Sequence, residues 1–384
     1  MKIKKILFML NGLHGGGAEK VFHTFINNLD SNKYELTIYT MHPENIDSYI
    51  SYNGKMTYKS VFGNLKCKTA VGKILSYLLT RIKGKLFAVL PSKVFYRLFI
   101  REKADVEVAF IEGESTKIIS GSTNDKSKKY AWVHIDLEKN PWTDFLYRSA
   151  EDEREHYLAF DKILCVSDSV RDAFIRKYHF DGERVGTQYN PLDRNDILKK
   201  SEEKAELSNH TRLRMITVGR LVEQKGYDRL IRIADRLKKD GCSFELLILG
   251  EGTERAKLEK MISDSTLENN VVLFGFQDNP YCYMKESDLF VCSSRTEGFS
   301  TVVSEAIVLG LPIVSTDCAG VRELFGEYDC GLITENNEEA LYNALFEILT
   351  YPERLKHYSE ESKKRGEGFS LERTMKEIEG LLDA

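Results

Sequence analysis

Apolar runs of strand length alternate with stretches of helical period along most of this chain, which predicts repeated β-α units and parallel sheets. In the first half the clear strand runs are KKILFML (4–10), YELTIYT (34–40), DVEVAFI (105–111), YAWVHI (130–135) and DKILCVS (161–167). Helices at about 17–29 and 168–178 follow the first and last of them. The second half is more regular, with strand runs LRMITVG (213–219), FELLILG (244–250), NVVLFGF (270–276), DLFVCS (288–293), LPIVST (311–316) and CGLIT (330–334). Helices such as 226–240, 253–264 and 300–309 fill the gaps. No short internal repeat is present, which argues against a solenoid.

A polar, charge-rich stretch at 190–212, NPLDRNDILKKSEEKAELSNHTR, separates the halves and reads as a linker. The expected fold class is therefore α/β, with two doubly wound Rossmann-like domains at 1–192 and 193–366 and a last helix at 367–384. Ligands of such sheets bind in crevices at the strand carboxyl ends, so the two crevices are expected to face each other across a cleft.

Composition narrows the reading. A chain of 384 residues suits two domains better than one. With 42% apolar and 30% charged residues, a sizeable core can form and wholesale disorder is excluded. No uncharged apolar run approaches the ~18 residues of a spanning helix. The opening MKIKKILFMLNGLHGGG has the basic tip and short apolar run of a signal peptide, but HGGGAEK is a poor cleavage site, and the run reads as a first buried strand. Seven scattered cysteines without a C-x-x-C argue against a disulfide framework or a zinc site and point to a reducing cytoplasm. Net charge is −4, yet residues 1–103 hold 17 Lys+Arg against 6 Asp+Glu, so one end of the chain is suited to an anionic partner.

Three motifs carry candidate chemistry. In HGGGAEK, His14 to Lys20, the glycines Gly15, Gly16 and Gly17 sit between the first strand and the first helix, where backbone N–H groups can approach an anion. In VGRLVEQKGYDRLI, Gly219 ends a strand, and Arg220 and Lys225 follow it as two cations able to neutralise a diphosphate. In SSRTEGFSTVVSEA, Glu297 lies on the loop and Glu305 about a turn inside the next helix. Between them, the N–H groups of Phe299, Ser300 and Thr301 are helix-start donors suited to a phosphate. A carboxylate on either side of such a site can bind paired hydroxyls of a sugar or ribose.

These motifs, followed by LGEG (Leu249 to Gly252) and GLPIVSTD, resemble glycosyltransferase family 4, retaining enzymes of the GT-B fold. The resemblance covers almost the whole chain and is most specific over about 213–335. It implies a transferase that moves a hexose from a nucleoside-diphosphate sugar, most simply a UDP-sugar, to a saccharide acceptor. The first domain would bind the acceptor and the second the donor, with the last helix crossing back to the first. Arg220 and Lys225 would contact the donor diphosphate, Glu305 the ribose and Glu297 the donor sugar. Backbone at Phe299, Ser300 and Thr301 would hold a phosphate. The nucleobase would rest near Phe276. Gly16 would approach donor or acceptor, with Gly15 and Gly17 beside it. His134, in AWVHID, stands where the family often has a histidine near the hexose. Ser300 and Ala319 stand where the family more often has glycine, which bears on the shape of the sugar pocket.

No Asp-x-Asp is present, so the two cations are expected to replace a metal, and no cofactor is expected. The resemblance implies attack on the face from which the diphosphate departs. Residues 59–103 hold eleven Lys/Arg and one acid, Glu102, interleaved with apolar residues and broken at Pro91, the pattern of interfacial helices on an anionic leaflet. A lipid-linked acceptor in surface-polysaccharide synthesis and a peripheral place on the cytoplasmic face follow as expectations. No nucleic-acid recognition module is visible. Two other readings remain at this point: an NAD-linked oxidoreductase, which requires a G-x-G-x-x-G that is absent, and a non-catalytic sugar-binding protein of the same fold.

Overall fold

The computed structural model describes residues 3–13, 16–44, 46, 50–63, 70–207 and 211–384, with backbone alone for 70–79. The chain forms two compact units, Met1–Tyr189 with Thr374–Ala384, and Asn190–Arg373.

The first unit is built on seven strands: β1 (Lys4–Leu10), β2 (Tyr34–Thr40), β3 (Met56–Ser60), β4 (Val106–Ala109), β5 (Lys128–Val133), β6 (Lys162–Cys165) and β7 (Val185–Thr187). They pair in parallel in the order β3-β2-β1-β4-β5-β6-β7. The last five residues of β1 are all buried, because helices cover both faces of a parallel sheet and leave no side for polar residues. Phe8, Phe22, Phe25, Phe110 and Trp132 form one aromatic cluster, with Phe22–Phe110 centroids 4.8 Å apart and Phe110–Trp132 5.6 Å apart. The cluster joins the sheet at β1, β4 and β5 to the first helix, Gly17–Asn27, which carries Phe22 and Phe25. The edge strands β3 and β7 are the elements that apolar runs do not announce. β3 alternates half-buried and exposed residues, and β7 has three residues, as edges that must not pair further tend to be.

The last helix, Leu371–Asp383, buries Met375, Ile378 and Leu382. It is tied to the start of the chain by Lys33 Nζ to Glu379 at 2.6 Å, by Tyr34 Oη donating to Asp383 at 2.9 Å and by Lys4 Nζ donating to the Leu382 carbonyl at 2.6 Å.

The second unit has six parallel strands: β8 (Leu213–Val218), β9 (Phe244–Leu249), β10 (Val271–Gly275), β11 (Leu289–Cys292), β12 (Ile313–Thr316) and β13 (Gly331–Thr334), in the order β10-β9-β8-β11-β12-β13. The stretch at 190–212 is more than a linker. It carries the helix Arg194–Ser201, capped by Asp193 accepting from the Asp196 N–H. Ile197 and Ala205 are buried in the core of the second unit. The charged residues of that helix face outward and mask a narrow apolar seam, which is why composition alone misreads it.

Phe110 is fully enclosed by aromatic neighbours, so Phe110→Ala should cost about 3–5 kcal/mol of stability in urea unfolding followed by circular dichroism. A loss below about 1 kcal/mol would show that the cluster is not the core of the first unit.

Candidate active site

The strand order reverses between β1 and β4 in the first unit and between β8 and β11 in the second. At such switch points the connections leave in opposite directions and open a crevice at the strand carboxyl ends. The chemistry-bearing motifs lie at these two places.

In the second unit the loop after β8 is fastened to the loop after β11. Lys225 Nζ sits 2.6 Å from Glu297 Oε1, across 72 residues of sequence. Ser294 Oγ donates to the same oxygen at 2.6 Å. Ser293 Oγ donates to the Lys225 carbonyl at 2.9 Å, Gln224 Nε2 to Thr296 O at 2.9 Å and the Arg295 backbone N–H to Gln224 O at 2.7 Å. Arg295 also grips Asp228 with two bonds of 2.8 and 2.9 Å. Burial alone would raise the Asp228 carboxyl, but Arg295 outweighs it and holds the group well below the usual carboxylate range. Gly226 makes the turn possible: its φ is 66°, and a Cβ there would strike the Ser293 carbonyl.

Burial pulls the Lys225 ammonium down, yet the Glu297 charge more than offsets it, and the group is raised above its ordinary value. It is a cation at every physiological pH. A void of about 10 Å³, room for one water, is lined by Lys225, Tyr227, Ser293, Ser294 and Glu297 among others. Arg220 is exposed, and its side chain makes no hydrogen bond or ion pair with any described residue. Ser300 caps the helix Thr301–Val308 without a side-chain bond to it, and its hydroxyl is buried and without a hydrogen-bond partner. The first-turn N–H groups of that helix have no acceptor within the helix. Glu305 is buried at 3% exposure and is hydrogen-bonded by Tyr281. Phe276, just past β10, is 67% exposed, a flat apolar surface at a strand end.

In the first unit Gly16 caps the helix Gly17–Asn27 in an extended conformation, while His14 and Gly15 lie outside the described residues. The Glu19 carboxylate folds back over Gly16 so closely that a Cβ there would collide with it. An anion arriving at this helix end would have to displace that carboxylate. His134 follows β5 directly. Its Nε2 donates to the Phe110 carbonyl at 2.8 Å, which puts the proton of the neutral ring on Nε2 and leaves Nδ1 an acceptor. Burial pulls the imidazole down to about 4.

The structure thus places Arg220, Lys225, Glu297, Ser300 and Thr301 at one switch point, and Gly16, Gly17 and His134 at the other. It also shows residues that the sequence reading passed over. Glu112 is buried after β4, accepting from the His134 N–H at 2.9 Å and from Trp142 Nε1 at 3.1 Å. Asn11 donates to the Glu112 carbonyl at 2.8 Å. Ser294, Tyr281 and Arg229 complete the second unit's set. The available signal was positional: Asn11, Glu112 and Ser294 are polar residues one to three places beyond an apolar strand.

Residues 199–365 match the Glycosyl transferases group 1 family. This group 1 region lies within the second unit and contains both loops just described. Over 386 residues, 96% of each chain, the protein is 28% identical to the N-acetylgalactosamine-N,N'-diacetylbacillosaminyl-diphospho-undecaprenol 4-alpha-N-acetylgalactosaminyltransferase of Campylobacter jejuni. Its fold is similar to that of Anabaena HepE in complex with UDP and glucose, with a TM-score of 0.75 at 17% identity over 99% of this chain and 100% of that one. A variant of S. aureus TarM, in complex with Fondaparinux, alpha-GlcNAc-glycerol and UDP, gives 0.70 at 16% identity over the whole of both chains. The fold is that of GT-B glycosyltransferases, two parallel-sheet Rossmann-like units. The oxidoreductase reading is set aside by these findings.

Two measurements check this geometry without any substrate. Lys225→Met leaves Glu297 without its cation and should lower stability by roughly 2–3 kcal/mol, with partial recovery in the double variant Lys225→Met/Glu297→Gln. Additive losses in urea unfolding would show that the pair is not coupled. The His134 ring should titrate with a midpoint near 4 by NMR and stay neutral at pH 7, whereas a midpoint near 6.5 would contradict its burial. Because the folded value is depressed, its contribution to stability is present above about 6.5 and is lost as pH falls toward 4.

Proposed function

We propose that the protein is a retaining hexosyltransferase of the family 4 type, which moves a hexose from a UDP-sugar to a saccharide acceptor carried on a lipid. The observation that carries this reading is the Lys225–Glu297 pair, which joins the loop that carries Arg220 to the loop that leads into the helix Thr301–Val308. A cation, a free guanidinium and helix-start amides converge on a place fit for a diphosphate, with carboxylates to either side for hydroxyls. Phe276 offers a face for a base, and Glu305 a buried acceptor for ribose.

The chemistry follows from charge. As the bond between the anomeric carbon and the phosphate oxygen breaks, negative charge grows on the diphosphate. Arg220, Lys225 and the amides stabilise it, in the place a metal holds in other transferases. The acceptor oxygen bonds to the anomeric carbon on the same face, and its proton passes to an oxygen of the departing diphosphate. This gives retention without a protein nucleophile. Glu297 fits that scheme, because its Oε1 is already engaged by Lys225 and Ser294. His134, neutral at physiological pH, is suited to hydrogen-bond a sugar hydroxyl rather than to repel an oxocarbenium-like centre.

The lipid-linked acceptor is supported by the Campylobacter relative, whose name is that of an enzyme acting on a diphospho-undecaprenol saccharide. It is supported also by the basic helices. The helix Ser92–Phe99 turns Phe95 and Tyr96 inward and exposes Lys93, Val94, Arg97 and Leu98. The described end of the helix Ala70–Val89 exposes Arg81, Ile82, Lys85 and Val89, the last at 80%. Residues 64–69 of the basic stretch lie outside the described residues, and Lys59 is on β3 and pairs with Glu102. A face of cations and apolar side chains without an acid is suited to an anionic bilayer surface on the cytoplasmic side. Among the described residues, no helix is long and apolar enough to cross a membrane.

Incubation with UDP-, GDP- and ADP-sugars without acceptor should release UDP and no other nucleotide, with turnover unchanged by EDTA. Release of GDP or ADP instead would overturn the donor, and loss of turnover in EDTA the metal-free scheme. Lys225→Ala and Glu305→Ala should each lower transfer by well over about tenfold, since each removes a charged contact of about 2–3 kcal/mol. Full activity in both would reject the site. In flotation, the protein should rise with anionic vesicles and not with neutral ones; equal recovery with both would remove the membrane reading.

A further inference from the structure

Arg229 is buried at 5% exposure in the first turn of the helix Tyr227–Lys239. Its Nε and Nη2 donate to the Ser293 carbonyl at 2.9 and 2.6 Å, and Nη2 donates also to the Ser294 carbonyl at 2.7 Å. Among the described residues no carboxylate forms an ion pair with it, and Asp228, its neighbour in sequence, is taken by Arg295. Burying a guanidinium with carbonyl acceptors alone is costly, and an arginine stays charged in proteins. The two carbonyls belong to residues that line the void beside Lys225 and Glu297. The Ser294 carbonyl is held also by Thr316 Oγ1 at 2.7 Å and Cys318 Sγ at 3.1 Å, whereas the Ser293 carbonyl takes two bonds from Arg229, so that guanidinium is the charge set against it. A Cβ at Gly226 would come within 2.8 Å of Arg229 Nε, so the turn that presents Lys225 is moulded against the same guanidinium.

We propose that Arg229 is a positioning residue for a diphosphate. It fixes Ser293 and Ser294, and through them the loop that carries Glu297, against the Lys225 turn. It also offsets the Ser293 carbonyl dipole at the carboxyl end of β11. This inference rests on the donor-site reading above, and its test separates the two.

The experiment is calorimetric titration of UDP, UMP and uridine into the wild-type chain and into Arg229→Gln and Arg229→Lys, with melting temperature and circular dichroism as fold controls. The electrostatic role predicts a loss graded with ligand charge. Arg229→Gln should bind UDP about tenfold more weakly or worse, UMP less affected and uridine within about twofold of wild type. Arg229→Lys keeps the charge and loses the fork, and should fall between wild type and Arg229→Gln for UDP. It also carries the test if Arg229→Gln does not fold. In turnover, the loss should appear as a raised KM for the donor with kcat little changed. Equal losses for all three ligands, or unchanged UDP affinity in a folded variant, would overturn the role of Arg229 and leave the donor site standing. A wild-type chain that binds none of the three would overturn the donor reading and this inference with it.

Discussion

The contact on which the second unit's chemistry depends is the ion pair between Lys225 and Glu297. Each residue sits at the end of a different strand connection, and each is mostly shielded from water, with side chains 18% and 11% exposed. A lone charge in that position would be expelled or neutralised, so neither loop can hold its geometry without the other. The Asp228–Arg295 fork and the serine and glutamine bonds around it follow from the same need, for they keep the two loops in register over a distance of 72 residues in sequence. The pair also fixes the sign of what is left over. Lys225 and Glu297 offset one another as seen from a distance, so Lys225 acts on a ligand at close range and the longer-range charge comes from Arg220, from Arg229 and from the helix start at Thr301. All three are positive.

The first unit meets its switch point differently. Its loop is held by hydrogen bonds from polar residues at strand ends. Leu13 N–H donates to Glu44 at 2.8 Å, and Asn11 links β1 to Glu112 after β4. Glu112 is buried, and burial pushes its carboxyl up despite bonds from the His134 backbone and Trp142. With a neutral His134 beside it, this part of the crevice presents hydrogen-bonding groups. Neutral hydroxyl-rich ligands suit such a lining, while the other crevice suits an anion.

The parts legible in the sequence were those where one residue type is forced. Gly226 at φ 66° and the mostly apolar, buried runs of β1, β9 and β11 have few substitutes, so pattern alone located them to within a residue or two. The charged motifs were legible because Arg220, Lys225, Glu297 and Glu305 cluster around strand ends, where packing does not call for charge. What escaped was whatever shares its composition with ordinary surface. β3 and β7 are short, half-exposed edges. The helix Arg194–Ser201 hides a single apolar seam within a polar run. Arg229 reads as one more cation of an amphipathic helix, and only its carbonyl partners, 64 and 65 residues away, set it apart.

That distinction bears on how the two unbalanced arginines differ. Arg220 is exposed, and water screens its charge until a ligand excludes that water, so its contribution rises as the site closes over an anion. Arg229 is buried and held by the Ser293 and Ser294 carbonyls, so its charge is little screened before a ligand arrives and acts alike on the diphosphate throughout the reaction. One is a mobile contact and the other a standing field. A site holding both can attract a diphosphate from solution through the first and seat it through the second, on loops that the Lys225–Glu297 pair keeps in register.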